Sequence, residues 1–340
     1  MIRSFLIDID GLIRRQSSRT PWKMLCGVMV LLVIAVAMLF PAANVSGSHD
    51  TPLRPSRIDR QDLIPPEYGV TAIVRDPGNS SRMFAAGRSG FFRSVDGGAS
   101  WQTVRIYGSE GEAFAVAVGG VSGQLLVVGR RDGLWKSEDG GGRWTPLRLP
   151  GGSIPLAAAI APSDPRAIYV ATARDGLFKS TDRGQSWVGA NHGLPEAPGG
   201  GRIAEIRHLA VNPGNPDVAV AVSSDPIDIS LTRDGGSSWV SFTAALPLPL
   251  LSIFGHPRVL FDSNPPFHLY VALSFRPTSA LIMTRLFVLA DTRGWLPVPG
   301  DVPVNLRVRD LDVDRGQRQL RLWTDDGVVE VPLLDQAVKP

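Results

Sequence analysis

One cysteine, Cys26, stands in a chain of 340 residues. A single cysteine excludes an internal disulfide framework. No Leu-x-Gly/Ala triplet precedes it and it stands ahead of an apolar run, so it is not read as a lipidation site. The five histidines, His49, His192, His208, His256 and His268, share no metal-ligand spacing such as H-x3-H. The four tyrosines are Tyr68, Tyr107, Tyr169 and Tyr270, of which Tyr169 falls in a regular strand pattern and reads as core. No glycine loop runs into Lys-Ser/Thr, so there is no phosphate-cradling P-loop. A net charge of +3 is too diffuse for a nucleic-acid surface, and no aromatic-basic strip is present. Nothing in the sequence calls for a cofactor or a metal.

Glycine and proline are abundant, at 36 and 28. Many of the glycines fall in four octets of the pattern Ser/Thr-x-Asp-x-Gly-x-x-Trp: Ser94 to Trp101, Ser137 to Trp144, Ser180 to Trp187 and Thr232 to Trp239. Their tryptophans are 43, 43 and 52 residues apart. The aspartates Asp96, Asp139, Asp182 and Asp234 are expected to accept hydrogen bonds from backbone N–H groups one and two residues on. The serine or threonine before each bonds into the same loop. The glycines supply positive φ for a tight hairpin. Trp101, Trp144, Trp187 and Trp239 then open the following strand as packing anchors. No nucleophile or metal cage is present in the octet, so it reads as scaffold.

The flanking sequence repeats in step. Arg88-Ser89-Gly90, Arg131-Asp132-Gly133 and Arg174-Asp175-Gly176 precede the first three octets at one offset. Apolar runs ending at Pro77, Pro162 and Pro213 lie further upstream. Each unit thus has four short strands divided by a Pro turn, a Gly turn and the Asp hairpin. Such a unit repeated about every 45 residues is a blade of a β-propeller. Residues 65–335 are therefore expected to form one all-β propeller of six four-stranded blades, with seven as the rival count. Copies decay after the fourth: Asp291 to Trp295 loses a residue of spacing, and the last unit, from Val308, has no Asp hairpin. The segment Leu53 to Ile64 is a candidate for the missing outer strand, closing the ring.

These octets resemble the Asp-box (BNR-type) repeat of sialidases, sortilin-like propellers and propeller-type photosystem assembly factors. The resemblance covers about residues 65–335 and is specific for fold rather than activity. It implies two alternatives. One is a glycan-binding or sialidase-like hydrolase propeller, which would need a Phe/Tyr-Arg-Ile-Pro motif before the first box. None stands before Ser94, and Phe275-Arg276-Pro277 lacks the Ile and comes late. The other is a non-catalytic protein-binding or complex-assembly module, the reading favoured here. An arginine patch on one face, which the resemblance to the assembly factors implies, agrees with it.

Candidate partner residues are Arg88, Arg131 and Arg174, in one turn of three successive blades, with Arg276 near the equivalent place in the fifth. They form a possible rim for an anionic protein surface. The alternative is a solvated turn neutralised by Asp132 and Asp175. Residues 189–202, rich in glycine, read as a mobile connection on the same face. The apolar stretch Leu246 to Phe254 reads as a groove cap or partner contact. Glu196 reads as a solvated loop residue. Asp310-Leu311-Asp312 resembles the start of a calcium loop, but its glycine is late and Arg321 stands where a Glu is needed, so it reads as a strand.

At the N-terminus, residues 24–43 form an apolar run long enough to span a bilayer as one helix. Residues 1–23 are basic, placing that end in the cytoplasm and the propeller outside it. An uncleaved signal anchor is favoured over a cleaved signal peptide, whose apolar region would be shorter. Residues 44–64 read as a tether.

Overall fold

A computed structural model describes residues 69–76, 78–108, 111–119, 124–129, 133–243, 257–262, 268–278, 281–289, 295–298, 302–314, 319–324 and 327–333. The chain divides into units Met1–Leu53 and Arg54–Pro340. The expected anchor and tether, the closing strand Leu53 to Ile64 and the apolar stretch Leu246 to Phe254 all lie outside the described residues. Among those residues no helix is long and apolar enough to cross a membrane.

Five antiparallel four-stranded sheets follow one another along the chain. The first is β1 (Val70–Asp76), β2 (Asn79–Gly87), β3 (Gly90–Ser94) and β4 (Gln102–Val104). The second is β5 (Ala113–Gly119), β6 (Gln124–Gly129), β7 (Gly133–Ser137) and β8 (Thr145–Leu147). The third is β9 (Pro155–Ile160), β10 (Ile168–Thr172), β11 (Leu177–Ser180) and β12 (Val188–Gly189). The fourth is β13 (Ile206–Val211), β14 (Ala219–Ser224), β15 (Ile227–Thr232) and β16 (Val240–Ser241). The fifth is β17 (Arg258–Phe261), β18 (Leu269–Thr278), β19 (Leu281–Leu289) and β20 (Trp295–Pro297). A sixth sheet has three strands, β21 (Val308–Asp314), β22 (Gln319–Thr324) and β23 (Gly327–Pro332).

The molecule is an all-β propeller. The expectation of six four-stranded blades, or seven, is corrected: the described residues make five four-stranded blades plus the three-stranded sheet, and no seventh sheet. The physical reason is visible in the last unit, which runs out of Asp hairpin and so has no turn to return an outer strand. The first strands of successive sheets pack on one another in order, and β21 packs on β1. Six apolar clusters lie between consecutive sheets. One of them joins Ile73, Met83 and Phe92 of the first sheet to Trp323 and Val328 of the last. The ring is therefore closed by side-chain packing.

The octets stitch each blade to the one before it. Trp144 packs with Phe84 and Phe91 of the first sheet, and its ring meets Phe91 edge-on at 5.5 Å. Trp187 and Trp239 pack in the same way against the second and third sheets. The decayed fifth copy keeps its anchor, Trp295, buried against the fourth sheet. Trp239 is the most enclosed of the four octet tryptophans, and its Nε1 donates to Ala190 O at 2.9 Å.

The hairpin mechanics differ from expectation. Asp96, Asp182 and Asp234 accept from backbone N–H groups four residues on, at 2.9, 2.8 and 2.9 Å. Asp139 accepts from Gly142 and Arg143, both at 2.8 Å. The loop is a full turn, so its amides converge from the far side. Nearer N–H groups go instead to the preceding hydroxyl: Gly98 N donates to Ser94 Oγ at 2.8 Å, and Gly236 N to Thr232 Oγ1 at 2.9 Å. In the connection over residues 189–202, Leu194 is buried, and Ala197 and Gly200 donate backbone hydrogen bonds within it. Just beyond it the buried Ala204 donates to Pro195 O.

Candidate functional site

A strand order of 1-2-3-4 puts the start of each first strand beside the turn between strands two and three. Val70 pairs with Gly87, which pairs with Gly90. The exposed Arg88 occupies that turn, and its backbone N–H bonds Gly69 O. Arg174 is exposed in the same turn of the third blade. Arg276 is exposed on the extension of β18 beyond its pairing with β17. Arg131 lies outside the described residues. Among the described residues, neither Arg88 nor Arg174 has a carboxylate at ion-pair distance. Asp175, the expected neutraliser of Arg174, accepts a hydrogen bond from Ser153 Oγ. Glu196 is exposed, as expected.

Along the ring axis the first strands of all six sheets surround a cavity of about 610 Å³. Its walls are mostly aliphatic, and among the described residues its aromatic side chains are Phe261 and His208. Converging inner strands favour small residues near the axis, and β9 supplies Ala157, Ala158 and Ala159.

Polar groups occupy one side. Counting back from the pairs Val211–Ala219, Phe261–Leu269 and Val313–Leu320, His208, Arg258 and Asp310 fall at one register position in three successive blades. Alanines Ala72 and Ala157 hold that position in the first and third. His208 Nε2 lies 2.9 Å from Val259 O, and Nδ1 lies 3.5 Å from Arg258 Nη1. Burial and the neighbouring Arg258 charge push the His208 pKa down to about 3, so its ring is neutral. Asp310 Oδ2 accepts from Ile73 N at 2.6 Å and Oδ1 from Leu311 N at 2.9 Å. Burial pushes its carboxyl pKa up, against the Arg258 charge and these two N–H groups. Asp312 is ion-paired with Arg75, whose Nε and Nη2 lie 2.9 and 2.7 Å from Oδ2. The strand reading of Asp310 to Asp314 is thus borne out: Leu311 and Val313 pack toward the fifth blade. No metal-holding cluster occurs among the described residues.

Sequence reasoning set the histidines aside for want of ligand spacing, and it passed over Arg75 and Arg258. The available signal was the break in apolar character at one place of the first-strand repeat.

No family model matches the sequence, and no curated protein matches it. Among solved structures, an ancestral GH74 enzyme overlays with TM-score 0.53 at 18% identity, covering 80% of this chain and 35% of that one. The GH74 xyloglucanase from Xanthomonas campestris overlays with TM-score 0.54 at 18% identity, covering 78% and 43%. YCF48 bound to a D1 peptide gives TM-score 0.46 at 14% identity, covering 78% and 97%. The chain spans less than half the length of either GH74 structure. At such identity the likeness is one of fold: this chain is a β-propeller, similar in architecture to these proteins.

Proposed function

We propose that the chain is a non-catalytic binding or assembly module. In this reading it is tethered to a membrane by residues 24–43 with its propeller on the extracytoplasmic side. It docks the acidic surface of a protein partner on the face carrying Arg88, Arg131, Arg174 and Arg276. The observation that carries the non-catalytic reading is the commitment of the axial carboxylates Asp76, Asp310 and Asp312. Arg82 holds Asp76 through Nε at 2.6 Å. Asp310 is taken up by two backbone N–H groups and Asp312 by Arg75. A glycoside hydrolase needs one carboxylic acid and one carboxylate free to face the sugar. Among the described residues the walls offer one aromatic carbocycle, Phe261, where sugars would stack, and the rest is mostly aliphatic. Exposed Arg88 and Arg174, with no carboxylate at ion-pair distance among the described residues, support docking at the rim, since an arginine fork suits carboxylate recognition.

The test is a membrane pull-down comparing wild type with a triple variant, Arg88→Glu, Arg131→Glu and Arg174→Glu. Charge reversal is expected to cut partner recovery severalfold and to remove its dependence on salt. Unchanged recovery refutes the rim. The second reading, a glycan hydrolase, draws on the fold shared with GH74 enzymes and on two axial carboxylates on one face of β21. It predicts glycan hydrolysis that is lost in Asp310→Asn or Asp312→Asn.

A further inference from the structure

Arg258 carries a charge that its surroundings satisfy poorly. It is partly buried at the wall of the axial cavity. Its Nε is buried and has no hydrogen-bond partner. No carboxylate lies at ion-pair distance from it among the described residues, and its nearest polar neighbour is the neutral His208. Holding a guanidinium away from water without a counter-charge is unfavourable. Asp310 acts on it through the field but is already held by Ile73 and Leu311. Arg307 and Arg309 also approach the same group, adding positive potential.

The rest of the cavity narrows the chemistry. Ala72, Val74, Ala210 and Leu260 line it and are only partly buried, which gives an apolar body somewhere to lie. A volume of about 610 Å³ is in the ordinary range for a small-molecule site. Asp310 and Asp312 line the same space and disfavour a multiply charged anion such as phosphate. We propose that the axial cavity binds a small organic monocarboxylate, its carboxylate on the Arg258 guanidinium and its apolar body among the aliphatic first-strand side chains. This site is separate from the exposed arginine rim, and either can fail without the other.

Hexanoate and benzoate are the probes, with hexanol, benzyl alcohol and inorganic phosphate as controls. Titration calorimetry and thermal shift are run on the full chain in mild detergent. Both carboxylates are expected to bind and raise Tm, while the alcohols and phosphate leave it unchanged. Arg258→Met keeps the volume and removes the charge, and it is expected to fold because removing an unpaired buried charge relieves a cost. It should lose carboxylate binding at least tenfold. Ala210→Leu leaves Arg258 untouched and narrows the cavity, so it should lose binding as well. Absence of carboxylate binding to wild type, or equal binding to either variant, overturns the proposal. So does phosphate binding as well as hexanoate.

Discussion

At the residue scale, one turn position separates the third octet from the others. Gly97, Gly140 and Gly235 have φ of 78°, 75° and 73°, and Arg183 takes the same left-handed conformation at 63°. A side chain there costs about 1 kcal/mol. Arg183→Gly should therefore raise unfolding stability by up to about 1 kcal/mol in urea, and Arg183→Ala should not. The octet carboxylates make a second, pH-dependent prediction. Hydroxyl and N–H donors from Ser100, Ser186 and Ser238 hold Asp96, Asp182 and Asp234 at about 2. A carboxyl depressed in the fold contributes stability that is complete above its usual 3.8 and lost as pH falls toward 2. His208 acts in a higher window. It stays neutral in the fold down to about 3 while the unfolded chain protonates near 6.5, so its contribution falls as pH drops through that range. Asp310, raised in the fold, works oppositely, costing stability as pH climbs past 3.8. Tm measured from pH 7 to pH 4 should fall less steeply in His208→Gln than in wild type. An unchanged slope would refute the buried neutral histidine.

At the element scale, each hairpin is held from two sides. The loop is closed locally, and its tryptophan is wedged against the preceding blade. Trp239 is only 4% exposed and bonds Ala190 O, so Trp239→Ala leaves a cavity and an unpaired carbonyl. Its cost, read from urea unfolding, should be about 3–5 kcal/mol. Trp187 is more exposed and its Nε1 has no partner, so the same substitution there should cost less. Blades also meet closely at single backbone positions. A Cβ on Gly119 would lie 2.0 Å from Ile160 Cγ2. Gly119→Ala should thus be destabilising, and Ile160→Ala in the same chain should recover part of the loss. Strict additivity of the two changes would show that the contact is not the cause.

At the scale of the whole molecule, ring closure is the decisive contact. Residues some 237 positions apart meet there, Ile73 with Asp310 and Arg75 with Asp312. The Arg75–Asp312 pair is largely buried, with side chains 13% and 9% exposed. Removing Arg75 takes the bidentate counter-charge from a largely buried Asp312, so Arg75→Ala should cost up to about 3–5 kcal/mol. Replacing both with apolar residues, Arg75→Met with Asp312→Leu, should cost much less in the same denaturation experiment. If both variants lose the same stability, the pair is a bystander and closure rests on the apolar cluster around Met83 and Trp323.

The repeat made the architecture legible in advance. Asp at one place and Trp five residues later fix a hairpin and an anchor through local bonds and a fixed packing direction. A period near 45 residues then leaves a radial array as the way to bury successive sheets. Strand turns, the strand character of Asp310 to Asp314 and the exposed arginine turns at Arg88 and Arg174 were readable for the same reason: neighbours in sequence decide them. So was the lack of an own outer strand in the last unit, which carries no hairpin signal. The axial site was not. His208, Arg258 and Asp310 lie about 50 residues apart in sequence and look unrelated until the ring sets equal register positions side by side. Sequence alone determined the blade, because a blade is made of contacts between near neighbours. Only the tertiary structure decided what lies along the axis, because every group there comes from a different blade.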